Sequence, residues 1–583
     1  MQNTGSSEHN HGLGPNVIKD TSTGGSGVWA GALAAEDEGL LSQEALKAHG
    51  YGSVAGGASE EPAADDGEYT MPSGQLYSVI AGLFMASYLA ALDTTVVTTL
   101  LSVIASDLNA LGNISWIATA YLLSCSAFQP LFGKLSDIFG RKACLLTCVF
   151  FFTVGCLICA TNSLLWLIFG RFITGIGGSG LTTLGTITMS DLVPLRDRGL
   201  YQGIANVFFS LGAASGGIIG GFVADWIGWK YVFLLQVPLS IAVGFVVWRN
   251  LNLPAGSPGL GVQGSDFKDK LKRIDFVGSS FLVFALVNIM LAASLGGREI
   301  AYSSPIFIGL CFVAALSLTG FVYTEMYGDV EPILPIELMA DRTILSSSLA
   351  NWFYTMGIFT NLYYIPLYFN SVIGVSASHN GLRLVPNFLA ISFGSVGAGL
   401  YMKHTGRYYK LTVVVGIIAI AGVFRIFQIT KQISKLEQFI ILIPSGFSYS
   451  AMLTVTLLSL IAAVPIKYQA CTTSIQYTFR ATGSTLGLSI ASAIFQNILS
   501  SSLTTKVHEV ISDYDKAEKI ISKALENTNY INEAPKIVRS ALIDSYASGC
   551  KGAFTFSFVI VVLGVISSLF MKEHVLHSSL QRD

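Results

Sequence analysis

Between two apolar runs, at 114–132 and 143–161, the chain reads Gly133-Lys134-Leu135-Ser136-Asp137-Ile138-Phe139-Gly140-Arg141-Lys142. The two glycines permit a tight reversal, Asp137 can meet a positive helix N-terminus, and Arg141 and Lys142 suit the lipid headgroups. A bilayer core about 30 Å thick takes roughly 20 apolar residues per helix. Working outward from this loop, the same alternation of apolar run and short polar loop gives fourteen such runs, the first at 76–101 and the last at 552–571. Composition agrees. The 583 residues are 52% apolar and only 12% charged, against roughly 25% charged in a soluble domain. So few charges cannot coat a water-facing surface, and lipid must replace water over much of it. The expectation is an all-α integral membrane protein with fourteen transmembrane helices.

Several function classes fall away. A net charge of −2 argues against a nucleic-acid partner. The eight cysteines lie mostly in apolar runs and show neither a disulfide framework nor zinc spacing. No phosphate-cradling G-x-x-x-x-G-K-[ST] loop, catalytic triad or metal cluster stands out. An ATP-driven pump and an enzyme are therefore disfavoured, and no cofactor or metal is expected.

Lysine and arginine in the short loops set orientation. With an inside N-terminus, the cytosolic loops hold Lys134, Arg141 and Lys142, then Arg196 and Arg198, then Arg249, Lys268, Lys270, Lys272 and Arg273, then Arg342, Lys403, Arg407, Lys410 and Lys467. The opposite short loops hold little beyond Arg298, Lys431 and Lys435. The 133–142 loop also has an echo. After the tenth run comes Gly399-Leu-Tyr-Met-Lys403-His-Thr-Gly406-Arg407, with the same spacing from glycine to Gly-Arg but Lys403 where the aspartate would be. A parallel repeat of this kind is a transporter signature. It divides the chain into a disordered cytosolic tail (1–75), a six-helix bundle (76–248), a linker with two extra transmembrane helices (249–344), and a second six-helix bundle (345–571). A partly helical lumenal loop (499–551) and a short cytosolic tail (572–583) complete the division.

Polar groups inside the runs mark the candidate site. Asp93, in Leu89-Ala-Ala-Leu92-Asp93-Thr94-Thr95, is the carboxylate well inside a helix of the first half. Left ionised and unpaired in hydrocarbon it costs several kcal/mol, so it should face a central cavity and titrate. Arg171, in Arg171-Phe-Ile-Thr-Gly175-Ile-Gly177-Gly178, lies about eight residues from the lumenal start of its helix, and Asp93 about eight from the lumenal end of its own. At 1.5 Å per residue both are roughly 12 Å deep, which predicts an Asp93–Arg171 pair. Arg480, Gln236 and Asn351 are further cavity candidates, whereas Arg383 and Arg425 sit near helix ends where they can snorkel. The fifth run carries Gly212, Gly216, Gly217, Gly220 and Gly221, a smooth stripe for close backbone approach. Two address signals remain. Glu36-Asp-Glu-Gly-Leu40-Leu41 fits an acidic dileucine pattern that a sorting adaptor would read, and Asn113-Ile-Ser115 is a lumenal glycosylation sequon.

The G-K-L-S-D-x-x-G-R-K loop strongly resembles the signature loop of the major facilitator superfamily, in which it latches the two halves in one state of the transport cycle. By that resemblance Gly133, Asp137, Gly140 and Arg141 carry the latch here. The 212–221 glycines resemble the antiporter motif of the drug:proton exchangers, with Gly217 where that motif usually carries proline. Leu92-Asp93-Thr94-Thr95-Val96 resembles the first-helix motif of the fourteen-helix antiporters. Arg171-Phe-Ile-Thr-Gly175 resembles the R-x-x-x-G motif linked to proton coupling. The whole looks like a fungal fourteen-helix major facilitator of the drug:proton antiporter branch, and within it like the vacuolar basic amino acid transporters. The resemblance implies two six-helix bundles plus two extra central helices. It also implies proton-coupled antiport of lysine, histidine or arginine from cytosol to vacuole, with Asp93 as proton carrier. A plasma-membrane multidrug or organic cation:proton exporter, a siderophore–iron transporter and a transport-dead nutrient receptor are the alternatives.

Overall fold

The computed structural model describes residues 72–576, apart from 109–114, 254–256, 265, 298–299, 329, 335, 376, 512 and 527–529. The tail with Glu36, Leu40 and Leu41, and the sequon at Asn113, lie outside the described residues. Among the described residues the chain is helical throughout, with one isolated bridge between Gly296 and Ile300. The long helices are α1 (Ser73–Asp107), α2 (Ser115–Phe139), α3 (Arg141–Cys159), α4 (Leu164–Leu192), α5 (Leu195–Trp226), α6 (Lys230–Asn250), α7 (Phe276–Leu295) and α8 (Pro305–Tyr327). They continue as α9 (Arg342–Tyr368), α10 (Ala377–Thr405), α11 (Tyr409–Phe427), α12 (Ile443–Ala462), α13 (Gln469–Val510) and α14 (Lys536–Leu569).

Twelve helices among the described residues are long and apolar enough to cross a membrane. Against the expected fourteen, the two that fall short are α2 and α9, at 25 and 27 residues, and length is not what they lack. They carry Ser124, Ser126 and Gln129, and Ser346, Asn351 and Asn361, all buried. A helix sheltered by other helices need not be apolar all round.

The packing repeats. In the first six helices the extensive contacts are α1 with α5 and α6, α2 with α4, and α3 with α4 and α6. Eight helices later the same pairs recur: α9 with α13 and α14, α10 with α12, and α11 with α12 and α14. The two most extensive contacts that join the halves, α2 with α13 and α5 with α10, exchange under the same correspondence. Helices α7 and α8 pair with each other, and α7 lies against both α2 and α13, at the seam. The repeat sensed in the 133–142 and 399–407 loops is thus a repeat of whole bundles. At the far end, α13 and α14 run on beyond the other helices. There Leu503 and Val507 of α13 and Val538 and Leu542 of α14 bury against Ala517 and Ile521 of the short helix Tyr514–Glu526.

The halves meet most closely at the end that carries the basic loops. Gly199 and Gly203 of α5 lie on Gly399 and Ser395 of α10, so close that a Cβ on Gly203 would sit 2.9 Å from the Ser395 carbonyl oxygen. Gly133 of α2 faces α13 in the same way: a Cβ there would sit 2.8 Å from the Ala470 carbonyl oxygen. Side chains tie this seam. Arg198 donates to Gln469 Oε1 at 2.9 Å, Arg196 to the His404 carbonyl at 3.0 Å, and Asn206 to Ser395 Oγ at 2.8 Å.

Candidate functional site

The loop at 133–142 closes into a compact charged cluster. Gly140 takes φ 91°, a left-handed conformation that lets α2 reverse into α3. Arg141 is buried and forks. Its Nη1 donates to Asp137 Oδ1 at 2.6 Å and to Ser136 Oγ at 2.7 Å, and its Nε to Asp191 Oδ2 at 2.8 Å. Asp191, at the end of α4, is the partner that sequence reading missed, because nothing local announces which helix end a loop arginine meets. The linker lies over this cluster. Val262 N–H donates to the Ile138 carbonyl at 3.1 Å, and Leu260 sits against Gly140. Lys134 reaches Glu331 at 2.7 Å, and Arg273 meets the same carboxylate at 3.6 Å. Burial raises the Glu331 pKa, but Lys134 and Arg273 outweigh it and hold the carboxyl below its usual value. In the echo loop, Lys403 pairs with Asp197 of α5 at 3.0 Å. The repeat therefore keeps an ion pair but moves it across the seam between halves.

The predicted pair forms. Arg171 Nη1 donates to Asp93 Oδ2 at 2.6 Å, and the side chains are 1% and 0% exposed. The guanidinium also lies over the Tyr121 ring, 4.3 Å from its centre. The pair is a single bond rather than a fork. Asp93 Oδ1 and Arg171 Nε have no hydrogen-bond partner among the described residues. Asp93 is held where it is by close packing of α1 on α5. A methyl added at Gly212 would strike the Tyr88 carbonyl, and one at Gly216 the Thr95 hydroxyl, while Gly220 rests on Val96. Gly217 is only in ordinary contact with Thr99 and Gly221 faces open space, so the stripe that matters is Gly212, Gly216 and Gly220.

Between the halves lies a cavity of about 180 Å³. Ala90, Thr94 and Tyr121, which flank the Asp93–Arg171 pair, line it on one side; Tyr477, Arg480 and Ser484 of α13 line it on the other. The Asn206–Ser395 bond and a Thr186–Tyr477 hydroxyl contact of 2.6 Å cross from one half to the other beside it, toward the basic end. Of the three further candidates from sequence, Arg480 is on the wall. Gln236 and Asn351 are not: Gln236 turns back to the Val232 carbonyl of its own helix, and Asn351 donates to the Gln476 carbonyl of α13 at 2.8 Å. Gln129 and Gln202 are on the wall and were not singled out from sequence, since a helix's rotation decides which of its amides faces inward. Arg383 and Arg425, near helix ends where they can snorkel, bind Gln438 and Glu437 there.

The family model described as Major Facilitator Superfamily matches residues 83–488. The chain is 34% identical to a vacuolar membrane amino acid uptake transporter of Schizosaccharomyces pombe, over 86% of this chain and 85% of that one. It is 35% identical to a multidrug resistance protein of the same organism, over 87% and 94%. With vacuolar basic amino acid transporter 2 of Saccharomyces cerevisiae it shares 31% identity, over 78% and 96%.

Proposed function

The chain belongs to the major facilitator superfamily and is a multi-pass membrane transporter of small molecules, and from that premise we propose that it is a proton-coupled antiporter moving basic amino acids from the cytosol into the vacuole. The observation that carries the reading is the buried Asp93–Arg171 pair beside the cavity wall. In this mechanism the lumenal proton lands on Asp93 Oδ1, which needs no prior displacement of Arg171. Neutralising the carboxylate leaves Arg171 as an uncompensated charge in a dry site, a penalty of several kcal/mol that the bundle relieves by changing conformation. A substrate ammonium group cannot reach Asp93 while Arg171 holds it, so proton and substrate are coupled through the pair rather than by direct competition for one oxygen. The Arg141 cluster and the α5–α10 and α2–α13 contacts act as the latch of the state described here, with the basic end cytosolic.

The vacuolar relatives support the address and the substrate class. The similarity to a multidrug resistance protein at 35% identity favours, as second reading, a plasma-membrane exporter of organic cations on the same scaffold. The test is uptake of labelled lysine, arginine and histidine into isolated vacuolar vesicles, with ATP and with or without a protonophore. Uptake that needs ATP, collapses with the protonophore and is lost in Asp93→Asn is expected. Uptake indifferent to the protonophore or unaltered in Asp93→Asn would sink the antiport mechanism. A fluorescent fusion found only at the cell surface would favour the exporter.

A further inference from the structure

The cavity wall carries one ionised side chain, Arg480, and no carboxylate. Arg480 is in the first third of α13, about eleven residues from its start at Gln469, and so roughly 16 Å along the helix. It forms no ion pair among the described residues. Its guanidinium lies over the Phe209 ring at 5.3 Å and beside the Tyr477 ring at 6.0 Å, with the neutral Tyr449 hydroxyl also against it. Rings orient a guanidinium and leave its N–H groups directed along its own plane, where only an oxygen acceptor satisfies them. A permanent cation held in a cavity within the membrane region, without an acid to compensate it, is a site that lacks its anion. Arg171, by contrast, already has Asp93.

Two more groups on the same wall are incomplete. Gln202 donates its amide N–H to Asn206 Oδ1 at 3.3 Å, which turns its Oε1 to the acceptor role, and that oxygen has no partner among the described residues. Gln129 Oε1 is likewise buried and without a partner. The wall thus offers donors at one place and bare acceptors at others, with aromatic and hydroxyl surface between. A carboxylate answers the first and an ammonium group the second.

We propose that Arg480 is the anchor for the carboxylate of the transported solute, with Gln202 and Gln129 accepting from its ammonium group, so that the cavity selects zwitterionic amino acids over cations that lack a carboxylate. The inference rests on the amino acid reading above and gives it a chemical basis that the Asp93–Arg171 pair does not. A lipophilic cation gains nothing from Arg480 and is repelled by it. A fork–fork carboxylate bond is also directional, which fixes one end of the solute and leaves the side chain to the remaining space. Selection among basic amino acids is then made at the other end.

The test uses the full chain in vacuolar vesicles or proteoliposomes, with labelled lysine as the transported probe. Unlabelled lysine, lysinamide and cadaverine compete; the last two keep the ammonium groups and lack the carboxylate. Wild type is expected to be inhibited by lysine and nearly unaffected by the other two. Arg480→Gln should raise the KM for lysine roughly 10- to 100-fold, the scale of one charge-assisted bond, and should erase the preference of lysine over lysinamide. Arg480→Lys, which keeps the charge and loses the fork, should recover part of both. Equal competition by lysine and lysinamide on the wild type would overturn the proposal without need of any variant. So would an Arg480→Gln protein that still transports and still distinguishes the two. If wild type moves none of the three basic amino acids, it is the parent reading that fails; if it moves them and their amides alike, only the carboxylate anchor fails.

Discussion

Replacing Asp93 with leucine tests the central pair most directly. The variant leaves the Arg171 guanidinium 1% exposed and without its acid. Breaking one side of a buried ion pair costs about 3–5 kcal/mol, most of it the remaining charge. Unfolding entropy of about 2.1 cal/mol/K per residue, over roughly 500 ordered residues, gives about 1 kcal/mol per degree. Asp93→Leu should therefore lower Tm by about 3–5 °C. Arg171→Met should do the same from the other side, leaving Asp93 bare. The double variant removes both charges at once, and apolar replacement of a buried pair is neutral or stabilising. Its Tm should return to within about 2 °C of wild type, while proton-driven uptake stays lost. The assay is fluorescence-detected size exclusion after heating in detergent, run on all four proteins, with uptake measured in parallel. Two results would refute the reasoning: a single variant that loses less than about 1 °C, or a double variant that loses the sum of the two singles.

Three more outcomes follow from the seam and the latch. Gly203→Val places a branched side chain where a Cβ alone would be 2.9 Å from the Ser395 carbonyl oxygen; transport should stop while the protein stays monodisperse, and a cysteine placed at Ser484 should label faster from the basic end. Arg141→Lys cannot reach Asp137, Ser136 and Asp191 together; maximal uptake should fall about tenfold or more, with lysine binding unchanged by calorimetry. Glu331 has a folded pKa below its usual 4.5, so its contribution to stability is complete above pH 4.5 and is lost as pH falls through the folded value. Glu331→Gln should accordingly melt about 1 °C below wild type at pH 7, a small loss because the pair is half exposed, and the gap should narrow only below pH 4.5, closing as pH falls through the folded value.

What was legible in the sequence was whatever depends on position along a helix. The Asp93–Arg171 bond could be foreseen because both residues are about eight residues from the same-side ends of their apolar runs, and depth is a matter of counting at 1.5 Å per residue. The basic loops and the echo at Gly399–Arg407 could be read for the same reason. What was not legible depends on rotation about a helix axis and on which helices touch. Gln129 and Gln202 face the cavity while Gln236 and Asn351 do not, and no spacing in the sequence distinguishes them. Asp191 lies fifty residues beyond Arg141, and only the packing of α3 on α4 brings them together. Lys403 looked like a damaged copy of Asp137, yet its ion pair with Asp197 serves the seam between halves. The helices α2 and α9 are poorer in apolar residues because their buried polar groups, such as Ser124 and Gln129 or Asn351 and Asn361, face other helices or the cavity and not lipid.

If the chain is the vacuolar antiporter proposed above, the glycine crossing of α5 on α10 has a consequence for the economy of the whole organelle. A membrane that stores a proton gradient is discharged by any continuous file of water, however slow the carrier that lets it in. Backbone lies against backbone at Gly199, Gly203 and Gly399, with no side chain to hold α5 and α10 apart at these points. The crossing is therefore insulation as much as packing. In the proposed antiporter its quality would decide how many protons are wasted for each solute moved, a quantity that growth on limiting nutrients would feel well before any assay of transport rate did.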